Sequence, residues 1–121
     1  VNAEKLKVET GTHFNGSIHH TIRNITSRIY EMQNDDYTLL CDTQKSPITV
    51  MLPPACNNKG RVLNIKKANS DKYKINSYPV VLKVAEGTID LGEEVIIKTN
   101  YSSRSVQSDG ENWWIISSKG T

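Results

Sequence analysis

The side chains best suited to contact a ligand are cations gathered in one part of the sequence. Tyr73 and Tyr78 lie in the same part, and aromatic rings offer flat apolar faces to sugars. This combination predicts a site for an acidic glycan or another polyanion, with Lys72, Tyr73, Lys74 and Tyr78 as candidate receptor contacts. The competing interpretation, which we favour for the cluster as a whole, is a solvated strand face whose lysines protect a sheet edge. The cluster consists of Lys59, Arg61, Lys66, Lys67, Lys72 and Lys74, with Asp71 as the only counter-charge.

The carboxylates do not have the spacing of a catalytic pair. Asp35-Asp36 and Glu93-Glu94 are adjacent residues beside turns, and adjacent side chains on an extended chain point to opposite faces. Neither pair would therefore flank a substrate as the two acids of a glycosidase do. The sequence also contains no GxSxG, phosphate-binding glycine loop or HExxH pattern. We expect a binding protein that is not an enzyme and has no cofactor.

Histidine and cysteine invite two further hypotheses, neither of which is favoured. The first hypothesis is a metal site, because a threefold axis would gather one imidazole from each of three chains. However, His19 and His20 point to opposite faces of a strand, so at most one of them faces the axis. No carboxylate lies near these residues or His13 at a spacing typical of metal ligands. No metal site is predicted, although one shared on a threefold axis is left open. Cys41 continues an inward register and Cys56 follows a proline pair, so a buried thiol and a loop thiol are expected, and a disulfide between them is left open.

Composition limits the size and the partners of the protein. A chain of 121 residues has room for one domain, and a hydrophobic share of 36% is low for a self-sufficient globule, which leaves open that another copy of the chain completes part of the core. A net charge of +2 creates no general field for nucleic acid or acidic lipid, and no membrane span is present. We therefore expect no nucleic-acid partner and no membrane insertion. The chain starts at Val1, which suggests a piece cut from a longer polypeptide.

Short runs of alternating apolar and polar residues fill most of the chain and would position these side chains. Alternation with period two places one face of each run in a core and the other in water, and no long helix competes with it from residue 37 onwards. Pro53-Pro54 ends one run, and Ser108-Asp109-Gly110 predicts a hairpin between the last two. The pattern predicts an all-β fold of antiparallel strands, a sandwich or a jelly-roll-like head. The runs are 37–41, 48–52, 61–66, 80–85, 95–98, 101–106 and 113–116.

The N-terminal part, residues 1–27, has a different texture and is predicted to be a stalk or linker. Two patterns overlap around its end. Strand-like alternation competes with a heptad seam of isoleucines that would favour a trimeric or tetrameric coiled coil. Strand is favoured because the seam is short and rich in β-branched residues, but both remain open. The seam consists of Ile18, Ile22, Ile25, Ile29 and Met32.

Five motifs in a fixed order resemble a module of bacteriophage tail fibres and related virion attachment proteins, over roughly residues 28 to 116. Each motif alone describes only strands and turns, whereas the ordered set resembles the family. One departure is Leu91, which separates Thr-Ile-Asp from Gly92 where the family has glycine directly. The motifs are DYTLLCDT at 36–43, PITVMLPPA at 47–55, KGRVLNIKK at 59–67, TID at 88–90 and SDGENWWII at 108–116.

The resemblance implies a homotrimeric head domain, residues 28–121, at the tip of a fibre on the virion surface. It further implies attachment to a host-cell surface receptor, with a carbohydrate as one candidate, and a connection through the N-terminus to the rest of the fibre or the capsid. Trp113 and Trp114 would then divide between the core and a neighbouring subunit. Two alternatives remain open: a purely structural trimerisation or capsid-decoration module, and a free-standing carbohydrate-binding module.

Overall fold

A computed structural model describes residues 5–71 and 77–121 as an all-β protein, which confirms the predicted fold class. This part of the chain contains a single 3-10 turn at Ala55–Asn57 and no helix long and apolar enough to cross a membrane. Its nine strands are β1 (Ile22–Ile25), β2 (Ile29–Glu31), β3 (Thr38–Cys41), β4 (Ile48–Leu52), β5 (Val62–Lys67), β6 (Val80–Val84), β7 (Glu94–Ile97), β8 (Ser103–Ser108) and β9 (Trp113–Lys119).

The strands form two sheets, and the chain passes from one sheet to the other after almost every strand. The five-stranded sheet has the order β1-β3-β5-β8-β9, and the four-stranded sheet has the order β2-β4-β6-β7. A strand of the first sheet and the strand of the second sheet that follows it form what we call a rung. The rungs are β1–β2, β3–β4 and β5–β6, and they stack in parallel, because each crossover runs through the opposite sheet.

This topology corrects the prediction of antiparallel sheets. Within the described residues, four of the ladders between strands are parallel, and only β6–β7, β5–β8 and β8–β9 are antiparallel. Alternation tells which face of a strand is buried and does not tell which strand is its neighbour, so the mixed character of the sheets was not visible in the sequence. The hairpin predicted at Asp109-Gly110 does join β8 and β9, and Gly110 there has a φ of 97°.

The two sheets share one core built from their inward-facing positions, as in a β-sandwich. Its largest member is Trp113, which is fully buried and donates from Nε1 to the carbonyl oxygen of Pro53 at 2.9 Å. Trp114 points away from the core and donates to Asp109 Oδ2 at 2.8 Å. The inner position of one tryptophan is therefore confirmed, and the contact of the other with a neighbouring subunit stays a prediction. Apolar residues of the core from both sheets include Leu39, Cys41, Val50, Leu63, Ile65 and Leu82.

The cationic cluster predicted for one solvated strand face is divided between surface and core. Lys67 follows Leu63 and Ile65 at alternating positions of β5 and is fully buried, with Nζ donating to the carbonyl oxygen of Lys98 at 2.7 Å. Arg61 donates from its guanidinium to the carbonyl oxygen of Asp36 at 2.8 Å and thereby holds a turn. The interpretation of the whole cluster as one exposed face is therefore wrong, because the pleat turns Lys67 inward.

Residues 5–21, the described part of the chain before β1, contain no strand. Residues 5–21 are exposed, although His20 stacks on Tyr37 with ring centroids 3.9 Å apart. From residue 5 to Met32 the structure contains β1 and β2 and no helix, so the heptad alternative is wrong for this segment. The proposed boundary after residue 27 falls between β1 and β2, and β1 pairs with β3 of the head. The division into stalk and head stays a prediction.

Candidate functional site

Parallel stacking of the rungs brings three distant parts of the sequence to one edge of the fold. The connections that lead from the five-stranded sheet to the four-stranded sheet are 26–28, 42–47 and 68–79. Each leaves its sheet beside the previous one, and backbone hydrogen bonds from Asp42 to Ile25 and from Ala68 to Cys41 mark this adjacency at 3.0 and 2.8 Å. We call the described parts of these connections, residues 26–28, 42–47, 68–71 and 77–79, the loop edge.

Thr43 of the second connection hydrogen-bonds to residues near both ends of the third connection. Its backbone N–H donates to Asn69 Oδ1 at 2.7 Å, and its hydroxyl donates to the carbonyl oxygen of Tyr78 at 2.5 Å. Thr43 is fully buried and Asn69 is nearly so, so these bonds are shielded from water. These bonds therefore hold the described backbone of the second and third connections together beneath the exposed side chains of the loop edge.

The first of two depressions in the loop edge takes residues from all three rungs. Arg28 comes from the first connection, Lys45 from the second and Tyr78 from the third. The side of the depression continues onto β2 and β4 of the four-stranded sheet. We call it the Tyr78 depression. It has a volume of about 460 Å³ and is lined by Arg28, Ile29, Lys45, Ser46, Pro47, Thr49 and Tyr78.

The second depression lies beside the first, and Lys45 borders both. It has a volume of about 390 Å³ and a polar lining, to which Asp42 and Ser70 contribute. These two residues are connected by a bond from the Ser70 N–H to Asp42 Oδ2 at 3.3 Å. Behind this wall the amide Nδ2 of Asn69 is buried and has no hydrogen-bond partner among the described residues. The full lining is Thr26, Asp42, Gln44, Lys45 and Ser70.

The described residues of the loop edge include two cations, Arg28 and Lys45, and two acids, Asp42 and Asp71. Arg28 and Lys45 are exposed, and no ion pair to either is found in residues 5–71 and 77–121. The lining of the Tyr78 depression contains neither Asp nor Glu. A ligand carrying an anionic group would therefore meet two cations with free hydrogen-bonding capacity at this place.

One predicted receptor residue reaches this site, and two functional candidates were missed. Tyr78 is 47% exposed and borders the depression, whereas Lys72, Tyr73 and Lys74 lie outside the described residues. Their assignment stays a prediction. Arg28 and Lys45 were missed because each is a single cation in a polar turn, and only the parallel stacking of rungs makes them neighbours of Tyr78.

The opposite edge of the fold holds a charged cluster that is satisfied internally. The Asp36 carboxylate is buried and accepts hydrogen bonds from the Gln33 N–H, the Tyr30 hydroxyl and Arg23 Nε at 2.8, 2.6 and 2.9 Å. Burial raises the pKa of Asp36, but these three donors outweigh burial and hold its pKa below 3.8. Since every strong group here already has a partner, we assign this cluster to the stability of the fold.

No group of three or more His, Cys, Asp or Glu side chains that would hold a metal ion occurs within the described part of the chain. His13 and His19 contact the nearby side chains of Asn15 and Ser17. A metal site shared between chains on a threefold axis stays a hypothesis. Cys41 is buried and Cys56 is exposed, and both are free thiols, so the open question of a disulfide between them is answered in the negative here.

No protein-family model matches this chain, and no curated protein matches it significantly. Support for a function of the loop edge therefore comes from its own residues and from the ordered motifs of the sequence.

Proposed function

We propose that this chain is the head domain of a virion fibre or spike and that it attaches the particle to a host-cell receptor through the loop edge. Its role is binding at the virion surface, without catalysis. The observation that carries the proposal is the stack of three connections on a closed two-sheet core, which sets exposed side chains from distant parts of the sequence side by side. A rigid scaffold with exposed loops is the usual architecture of a recognition surface.

The ordered motifs support the same proposal through their location. The motifs at 36–43, 47–55 and 59–67 contain β3, β4 and β5, and the motif at 108–116 contains the β8–β9 turn. These motifs therefore cover much of the scaffold and part of the second connection, whereas the whole of the longest connection, 68–79, lies outside them. A fibre family that shares a scaffold and varies its receptor contacts is expected to show this division.

Unpaired apolar side chains support association with further copies of the chain. Leu6, Phe14 and Ile18 of the N-terminal segment are between 55% and 79% exposed. Three copies that cover these side chains would form the trimer we propose, with the N-terminal segments leading to the rest of the fibre or the capsid. The outer face of the four-stranded sheet carries a further, mostly apolar row of Ile29, Thr49, Val81 and Ile96, but the proposed trimer leaves it uncovered, because Ile29 and Thr49 also line the Tyr78 depression.

Light scattering of the purified chain tests the trimer. We expect a mass of about 41 kDa, three times the 13.6 kDa chain. The double variant Phe14→Asp/Ile18→Asp should shift the mass toward that of the single chain, because charged side chains oppose burial of this segment. A wild-type protein that stays monomeric at high concentration would contradict the trimer and favour a free-standing carbohydrate-binding module.

Cell binding tests attachment. Fluorescently labelled protein, offered to a panel of bacteria with different envelopes and to cultured animal cells, should bind at least one type saturably and be displaced by unlabelled protein. Lys45→Glu should abolish this binding, whereas the matched reversal Lys59→Glu, at an exposed lysine before β5 on the opposite edge of the fold, should leave it unchanged. Equal binding by the two variants would remove the loop edge from the proposal.

A structural module for trimerisation or capsid decoration is the second candidate, favoured by the apolar row across the outer face of the four-stranded sheet. A stable trimer that binds no cell in the panel would select this candidate.

A further inference from the structure

We propose that the Tyr78 depression binds a carboxylated sugar, with Arg28 and Lys45 holding the carboxylate. This inference rests on the proposed attachment function and names the chemical class of the receptor. The sugar comes from an envelope polysaccharide that contains uronic acids or from a sialylated glycan, since both present a ring carboxylate to the same groups.

Charge selects an anionic ligand at this place. Arg28 and Lys45 belong to different rungs, and both border a depression whose lining includes no acid. A guanidinium offers a planar fork that matches a carboxylate with two parallel hydrogen bonds, and an ammonium adds a point charge beside it. Because neither cation has an ion-pair partner in the described residues, a ligand carboxylate displaces only water.

The remaining lining residues suit a sugar ring better than a bare anion. Ile29, Pro47 and Tyr78 provide apolar surface for the C–H face of the ring, and Ser46 and Thr49 add hydroxyl groups that can hydrogen-bond with ring hydroxyls. Apolar walls with a few polar groups are typical of small-ligand sites. A volume of about 460 Å³ falls within the range of about 300 to 1,000 Å³ found for such sites.

The backbone that carries these groups is already fixed in the free protein. The Thr49 N–H donates to the carbonyl oxygen of Arg28 at 2.8 Å, and the Ile48 N–H donates to that of Pro79 at 3.2 Å. The Thr43 hydroxyl holds the carbonyl oxygen of Tyr78. These bonds join the described backbone of all three rungs beside the depression, so the ligand meets lining side chains on a backbone that is already hydrogen-bonded, which limits the entropy lost on binding.

The test is calorimetric titration of the full chain with sialyllactose and with trigalacturonate, each compared with its methyl ester. Esterification keeps the ring and removes the charge. We expect the acids to bind and the esters to bind at least tenfold more weakly, since the ester loses the charge that both cations contact and one charge-assisted contact alone is worth about tenfold. Binding of only one acid identifies the source of the sugar.

Variants locate the ligand within the depression. Arg28→Ala and Lys45→Ala should each weaken binding of the acid about tenfold and leave the weak binding of the ester unchanged. Arg28→Lys should lose less, because it keeps the charge and loses the fork. Tyr78→Ala should weaken acid and ester alike, whereas the control Lys59→Ala, on the opposite edge of the fold, should bind as the wild type does. Circular dichroism establishes that each variant is folded.

Different failures overturn different statements. If acid and ester bind equally, or if Arg28→Ala binds as the wild type does, the carboxylate site is refuted. If the chain binds cells in a way that depends on Lys45 but binds neither acid, this inference falls and the attachment function stands. If it binds neither cells nor sugars, both fall.

Discussion

The hydroxyl of Tyr30 donates a 2.6 Å hydrogen bond to Oδ2 of Asp36, and this contact joins the two sheets at the start of the fold. Tyr30 lies on β2 of the four-stranded sheet, and Asp36 lies just before β3 of the five-stranded sheet. Arg23 on β1 donates to the same carboxylate. One buried acid therefore connects the first rung to the second, opposite the loop edge.

Asp36→Asn should destabilise the protein by about 2 to 3 kcal/mol at pH 7, because three donors lose a charged acceptor that is itself buried. The folded-state pKa of Asp36 lies below its unfolded value of 3.8, so its contribution is present above that pH and is lost as the pH falls through the folded pKa. Urea unfolding from pH 7 down to pH 2 should show the two proteins converging in acid. Curves that stay parallel throughout would contradict this role.

Tyr30→Phe should alter the alkaline side of the stability profile. Burial and the hydrogen bond to Asp36 raise the pKa of Tyr30 from 10.0 to about 12. A raised folded-state pKa means that the contribution is complete below pH 10 and is lost as the pH rises from 10 to about 12. We expect the variant to be less stable at pH 7 by about 1 kcal/mol and to lose less stability in alkali.

The ultraviolet titration of phenolate checks this prediction directly. The difference between wild type and Tyr30→Phe should show one phenol that ionises near pH 12. A difference curve centred on pH 10 would show that Tyr30 has an ordinary environment.

The two thiols should react at very different rates. Cys41 is fully buried, and burial raises its pKa to about 12, whereas Cys56 is exposed after β4. An aromatic disulfide reagent should therefore modify one thiol in the folded protein and both in denaturant. Cys56→Ser should abolish the reaction of the folded protein. Absence of any reactive thiol in the folded wild type would indicate that the two cysteines pair.

Gly87→Ala should destabilise the fold by about 2 kcal/mol or more. Gly87 has a φ of 106°, which is strained for any residue with a Cβ, and a Cβ built there would lie 2.8 Å from the carbonyl oxygen of Glu111. Gly11→Ala is the matched control, because nothing lies within 4 Å of its Cβ position. Thermal unfolding should show a lower midpoint for the first variant and an unchanged one for the second. Equal midpoints would remove the steric role of Gly87.

Strand positions could be predicted from the sequence because burial imposes a visible period. Leu39, Val50 and Leu82 each occupy inward positions of runs that became strands. Lys67 illustrates the limit of this reasoning. Its long apolar stem allows the inward register of Leu63 and Ile65 to continue, and its ammonium group is satisfied by a carbonyl oxygen. Because the last inward position of β5 holds the charged Lys67, the apolar alternation in the sequence stops one residue before the strand does.

For a related reason, the sequence pattern could not predict which strands pair or which residues form the candidate site. Nothing in the alternation of β3 and β4 tells that the chain changes sheet between them, so consecutive strands were expected to pair. Tyr78 was recognisable as an aromatic residue in a polar segment. Arg28 and Lys45 acquire meaning only through the register of three rungs, which is a property of long-range pairing.

Because the rungs are parallel, the length of a connection can change without changing how the strands on either side of it pair. The connections 26–28, 42–47 and 68–79 grow progressively longer, yet the strands on either side of each remain in step. Insertions on this side would project outward without disturbing the hydrogen-bonded ladders beneath. The architecture thus leaves three independent places at which the exposed surface could change in evolution while the body of the protein keeps its shape.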